Sequence, residues 1–281
     1  MNQIIQNNAT PLSVQLYALR RECVRDFDAV LTRLSGVGFA GVELFNLFGM
    51  TPGEFRKRVE DLGMRVSSSQ FPCANRAPVN LVIDTLSELG LTRATCEFSP
   101  DDFRDHDAIL HTAEIINTLA GELARHGISV ILQNHWWEYE TLDAELKYPM
   151  LQALCPDAQF AIDTYWAANF GKVNVPAEVR RVADRTPMLI IKDGLFLQAE
   201  PFTNNPSIIQ NDAGLQALPY DESHVAVGSG RADINAIIAA ADPNVIEWLV
   251  VGLDTCATDV MTAITESHRF LTGMGLAHGR I

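Results

Sequence analysis

The sequence predicts an α/β protein of eight parallel units closed into a single (β/α)8 barrel. Short apolar runs alternate with longer amphipathic stretches eight times along the 281 residues. Several of those runs are continuous rather than alternating, as in strands covered by helices on both faces. The length suits one barrel, which typically takes about 250 residues. With no internal repeat and no shift in composition, residues 1–281 are expected to form one domain.

The units follow in order. SVQLYAL (13–19) reads as the first strand, and 26–38 as a helix stopped by Gly36 and Gly38. FAGVELF (39–45) is the second strand, followed by a helix that opens at Thr51-Pro52, an N-cap with proline at the first position. The third strand, 65–71, is weaker because three serines give it little to bury; helix 78–90 ends at Gly90. Strand 93–98 precedes a helix from about Asp105 to His126, and strand 128–134 a helix over 143–155. Strand 158–164 is followed by a helix near Pro176, and strand 188–193 by helix 232–241. Strand 245–252 and a helix over about 257–272 complete the eighth unit. The stretch at about 194–230 exceeds an ordinary connection, usually under about 12 residues, and reads as a lid, an oligomer-contact arm or a plain surface loop.

Composition narrows the function. Against 21 Lys and Arg stand 35 Asp and Glu, a net charge of −14, which argues against nucleic-acid or anionic-membrane partners. The five cysteines are scattered without metal-binding spacing and read as reduced. The N-terminal stretch lacks a signal-peptide pattern, and no run approaches the ~18 apolar residues of a membrane span. The expectation is a soluble, cytoplasmic protein, with a homo-oligomer possible.

In such a barrel chemistry gathers at the C-terminal ends of the strands. There the sequence places Gln15 and Tyr17, Glu43, Gln70, Glu97, Gln133 with Asn134 and His135, Asp163, Lys192 with Asp193, and Gly252 with Asp254. A dry core could not satisfy so many polar groups, so the mouth is expected to be a polar cavity. Taken singly, Glu43 and Glu97 could be solvated, Lys192 could merely pair with a carboxylate, and His135 and Trp136-Trp137 could be packing. Together they point to a site. Asp163 beside Tyr165 and Trp166 suits a polyhydroxylated ring, stacked on an aromatic face while the carboxylate accepts hydroxyl protons. Arg20 and Arg231 are the candidate cations for a phosphate, should they face the mouth.

VQLYALR, GFAGVELF, LGMRVSSSQ, ILQNHWWEY, FAIDTYWAANFG, LIIKDG, VGSGRADI, EWLVVGLD and ESHRFL occur in an order that resembles the sugar phosphate isomerase/epimerase group of xylose-isomerase-like TIM barrels. The resemblance runs from about 13 to 272, with NHWWEY and DTYW its most specific pieces. It implies a barrel that binds a small sugar-like substrate and uses a divalent metal beside a proton-moving carboxylate. It also implies four inward metal ligands, at positions that here read Gln133, Asp163, Ile190 and Gly252. Only Asp163 is an ordinary ligand, so no cofactor is expected, and Mn or Mg only if a site were rebuilt around Asp163.

The expected function is therefore an isomerase- or epimerase-like one, moving a proton next to a carbonyl without the usual metal. Lys192, His135, Glu97 and Asp163 are its candidate catalytic residues, with Lys192 facing an oxyanion and His135 or Glu97 as base. Glu43, Gln133, Asn134, Trp136, Trp166 and Tyr17 are the candidate substrate-binding residues. A keto-sugar lyase or dehydratase, and a non-catalytic sugar-binding or partner-subunit barrel, are the alternatives.

Overall fold

A computed structural model describes residues 9–195, 224–254, 256 and 258–280. Most of the long 194–230 stretch, residues 196–223, lies outside the described residues. The strands are β1 (Thr10–Gln15), β2 (Gly41–Leu44), β3 (Arg65–Ser69), β4 (Arg93–Cys96), β5 (Ser129–Gln133), β6 (Gln159–Asp163), β7 (Met188–Ile191) and β8 (Trp248–Val251). All pair in parallel, in the order β3-β2-β1-β8-β7-β6-β5-β4. That order is a nearly closed (β/α)8 barrel. Among the described residues the one missing ladder is between β3 and β4, where Thr95 Oγ1 donates to the Ser69 carbonyl at 2.7 Å.

The helices outside are α1 (Arg20–Val37), α2 (Pro52–Asp61), α3 (Val79–Leu89), α4 (His106–Ala124), α5 (Lys147–Leu154), α6 (Val175–Arg181), α7 (Ile234–Ala239) and α8 (Val260–Gly273). Five of the starts are fixed by side chains that accept an otherwise orphaned backbone N–H. Thr51 forms a capping box with Glu54, and Asp105, Asn174, Asp233 and Asp259 cap α4, α6, α7 and α8. Among the described residues no helix is long and apolar enough to cross a membrane.

Three boundaries differ from the sequence expectation. The first strand stops at Gln15, and Leu16–Leu19 form a 3-10 turn, so Tyr17 sits on that turn rather than on a strand. Leu16 and Leu19 are buried there, which extends the apolar run past the end of the ladder. Helix α1 begins at Arg20 but breaks at Asp26, whose extended backbone and carboxylate, accepting from Ala29 N at 2.9 Å, restart it at the expected place. The helix expected from 143 begins at Lys147, because Asp143 and Ala144 turn with positive φ between the paired segments Thr141–Leu142 and Glu145–Leu146.

Two apolar layers sandwich the strand wall. The larger lies between strands and helices; the smaller, inside the barrel, comprises Ala40, Ile131, Ala161, Met188, Ile190, Trp248 and Val250. Each large aliphatic or aromatic side chain so buried contributes about 1.5–3 kcal/mol relative to exposure. A register shift in the β2–β3 pairing sets Val42 opposite Val66 but Glu43 opposite Ser68, leaving Ser67 as an extra residue. A bulge of this kind re-aims side chains, and both Ser67 and Ser68 face the barrel interior, where Ser67 meets Ser13 and Ser68 meets Glu43. The serines that weakened the third strand in sequence are thus polar lining.

Candidate functional site at the barrel mouth

Lys192, one residue beyond β7, is 3% exposed and reaches across the mouth. Its Nζ lies 2.9 Å from Asp163 Oδ2 and donates to Asp254 Oδ1 at 2.6 Å. Burial alone would lower the lysine pKa, but the two carboxylates outweigh it and hold the group above its ordinary range. Burial likewise opposes ionisation of Asp254, yet Lys192 wins and keeps its carboxyl well below the usual range. Burial lifts Asp163. Asp163 is aimed by the turn it starts: Oδ1 accepts from Tyr165 N at 3.2 Å and Trp166 N at 3.1 Å. Oδ2 accepts no aligned hydrogen bond, although Lys192 stands beside it. Trp166 Nε1 donates to Asp254 Oδ2 at 2.8 Å, which puts an indole edge at the same cluster.

Across the mouth, Glu43 is 3% exposed. Gln15 Nε2 donates to its Oε1 and Ser68 Oγ to its Oε2, both at 2.7 Å. Burial outweighs these bonds and pushes the carboxyl up to about 7. Glu97 is half-buried at the end of β4, and within the described residues its carboxylate makes no hydrogen bond or ion pair; its backbone carbonyl accepts from Asn75 and Arg76. Electrostatic coupling links Glu43 to Glu97 and Lys192, and His135 to Glu97 and Asp163, so the five sequence-named groups share one field.

His135 is held by a residue the sequence reading passed over. Glu138 accepts from His135 N at 2.8 Å, lies 3.3 Å from Nδ1 and is buried. Burial pulls the imidazole pKa down, the Glu138 carboxylate pulls it up, and the second effect prevails. Glu138, whose own carboxyl pKa is lifted by burial, thus helps His135, expected as a base, to hold a proton. Its ring stacks on Trp137, with centroids 4.2 Å apart, while Trp136 packs near Phe170. Asn134, expected to bind substrate, is turned into the wall: its amide accepts from Asp163 N at 2.9 Å and donates to Asp163 O at 3.2 Å, tying β5 to β6. Gln133 Oε1 accepts from Gln70 at 3.3 Å. Tyr17 stacks edge-on with Phe45 and lies under the Arg20 guanidinium, which also donates to the Tyr17 and Asp254 carbonyls. Arg231, the other candidate cation, is exposed.

His224 was not foreseen. It is 0% exposed and enters on the short antiparallel pairing of Asp193–Gly194 with His224–Val225. Asp254 N donates to its Nδ1 at 3.2 Å, so the proton resides on Nε2, which is buried and has no partner among the described residues. Burial depresses its pKa to about 4. Beside it, the Asp193 carboxylate accepts four backbone N–H groups, from Gly194, Gly228, Gly230 and Ala232, at 2.8 to 3.1 Å. Asp193 is an anchor for the 226–232 loop.

The four positions that would hold a divalent ion do not fit one. Ile190 is packed in the apolar interior, and Gln133 is a neutral amide. A Cβ on Gly252 would lie 2.3 Å from Gln15 Oε1 and 2.8 Å from Lys192 Cε. The space a ligand at 252 would need is thus crossed by the Lys192 chain, whose ammonium stands beside Asp163, the one carboxylate of the set.

A search among solved structures returns the same architecture. A sugar phosphate isomerase/epimerase from Parabacteroides distasonis ATCC 8503 superposes with a TM-score of 0.72 at 17% identity, over 94% of this chain and 98% of that one. The chain shares the (β/α)8 barrel fold of that structure. An L-ribulose 3-epimerase aligns at TM-score 0.64 and 15% identity, over 95% and 94% of the two chains. A probable 3-DHS dehydratase of petrobactin synthesis from Bacillus anthracis aligns at 0.70 and 12%, over 93% and 98%. No family model and no curated protein matches the sequence.

Proposed function

We propose that this protein is an isomerase- or epimerase-like enzyme that moves a proton next to the carbonyl of a small sugar or keto-sugar, with the Lys192 ammonium in the electrostatic role a metal would take. The observation that carries the reading is the buried ammonium held between Asp163 and Asp254. An ammonium has three N–H donors. One is donated to Asp254, and the ammonium stands at ion-pair distance from Asp163, so donor capacity is left for a substrate oxygen, where it stabilises the charge of an enediolate.

Glu97 is the base in this reading, because among the described residues its carboxylate has no partner, and it takes the proton from the carbon beside the carbonyl. Glu43 is a second carboxyl, poised by burial to hold a proton near neutral pH. His135, which Glu138 helps to hold a proton, gives that proton to the substrate oxygen. Trp166 and Trp136 offer aromatic faces to the sugar ring. A barrel of solved sugar isomerases and epimerases supports the substrate class, and the cluster supports the chemistry.

The test incubates a panel of ketoses and aldoses with the protein in D₂O, with EDTA or with Mn²⁺. Deuterium in recovered sugar, unchanged by EDTA and lost in Lys192→Met, is the expected result. Exchange that requires Mn²⁺ would overturn the role of Lys192. Loss of water from a keto-sugar would establish a lyase, and tight binding without exchange a binding protein.

A further inference from the structure

The barrel contains a cavity of about 250 Å³ that does not coincide with the Lys192 cluster. At its deep end are Glu43 and Gln133; along it run Ser67, Ser68 and Thr95, faced by Ile131 and Ala161. At its far end are Arg65, Arg93 and Trp248, which begin β3, β4 and β8, together with Arg56 and Glu60 of α2. It therefore spans the barrel from the N-terminal ends of the strands to the carboxylate layer. Its cause is topological: β3 and β4 make no ladder, and the bulge at Ser67 and the small side chains of Ser68, Thr95 and Ala161 leave the seam unfilled. A cavity this large and this polar holds several waters, each taking about 30 Å³ in the liquid.

We propose that the β3–β4 seam is a hydrated passage by which Glu43 exchanges protons with bulk solvent from the face opposite the sugar-binding mouth. In the outward direction the Glu43 O–H bond breaks and its proton passes to the first water of the cavity. Each water passes one proton on until one leaves beside Glu60; the reverse sequence reprotonates the carboxylate. Ser68, which donates to Glu43 Oε2, orients the carboxyl toward this column. The purpose of the passage rests on the proton-transfer reading, whereas its existence does not.

The two are tested separately. Ser67→Cys places a thiol on the cavity wall, and the native Cys96, which is 0% exposed among the helix-facing core, is the internal reference. In the intact protein, methyl methanethiosulfonate is expected to modify the new thiol at least about 10-fold faster than Cys96, read by peptide mass spectrometry, while a bulky polymer-linked maleimide does not. Equal rates for the two thiols, or fast reaction with the bulky reagent, would overturn the passage. Thr95→Cys is the second variant should Ser67→Cys not fold. Ala161→Met fills the seam from β6, at a cavity-lining position that is not a member of the Lys192 cluster. It is expected to lower solvent deuterium in product several-fold at unchanged sugar binding, and an unchanged deuterium content would overturn the proton-exchange role. Absence of deuterium with the wild-type protein would refute the proposed activity, and the labelling rates would still decide the passage.

Discussion

Lys192 is the residue on which the site turns, and its surroundings define what its loss does. Removing the ammonium leaves the buried Asp163 and the part-buried Asp254 with no cation between them, a change that for a fully buried pair typically costs about 3–5 kcal/mol. Lys192→Met is expected to fold with a lowered denaturation midpoint, and the added change Asp254→Asn is expected to recover part of the loss. A double-mutant cycle in urea measures it; strict additivity would show that the pair is not coupled. Gly252→Ala tests the neighbouring space: its methyl would meet Gln15 Oε1 and Lys192 Cε, with an overpacking cost of about 1–3 kcal/mol. Combining it with Gln15→Ala, which removes the nearer clash, is expected to regain stability in thermal unfolding. At this scale the sequence made Lys192, Asp163, Glu43 and Glu97 legible, since a charged residue ending an apolar strand has few places to go but the mouth. Glu138 left a weaker signal, its i,i+3 spacing from His135. His224 left none, because it meets Asp254 only through tertiary folding after a stretch without pattern.

Elements carry these residues into register, and the connections show where sequence patterns run out. Strand and helix existence followed from apolar period and caps; Thr51 and Asp105 start their helices where their side chains indicate. The apolar run 13–19 could not reveal that the ladder ends at Gln15, because burial continues through Leu16 and Leu19 beyond it. Nor could periodicity reveal Asp193 as an anchor, since its four donors lie 1 to 39 residues away. That anchoring gives a prediction for one element. Asp193→Ala removes the acceptor of the part-buried N–H groups of Gly228, Gly230 and Ala232, which water can only partly replace, and so loosens this loop. Amide hydrogen exchange of 226–232 is expected to accelerate selectively, with β1 to β6 retaining their protection. Uniform acceleration across the barrel would show that Asp193 supports the whole fold and not this loop.

The whole molecule couples two buried groups of opposite tendency to its stability. Glu43 titrates at about 7 in the folded protein against 4.5 when exposed, so the native state holds the extra proton between those values. Its contribution is full below pH 4.5 and is lost as pH rises to about 7. His224 titrates at about 4 against 6.5, so between those values the unfolded state holds the extra proton. Its contribution is full above pH 6.5 and is lost as pH falls to about 4. From pH 4.5 to 6.5 the two slopes oppose each other and nearly cancel. Glu43→Gln removes the falling slope, so the variant minus wild-type stability is expected to rise with pH from about 4.5 to 7, by on the order of 3 kcal/mol in total. His224→Gln removes the rising slope, and its difference from wild type is expected to fall across about 4 to 6.5 by a similar amount. Taking differences cancels the titration of the many surface carboxylates of this acidic chain. Urea midpoints at half-unit pH steps read both curves, and a flat difference for Glu43→Gln would show that Glu43 ionises as an exposed carboxyl does, without the burial that poises it.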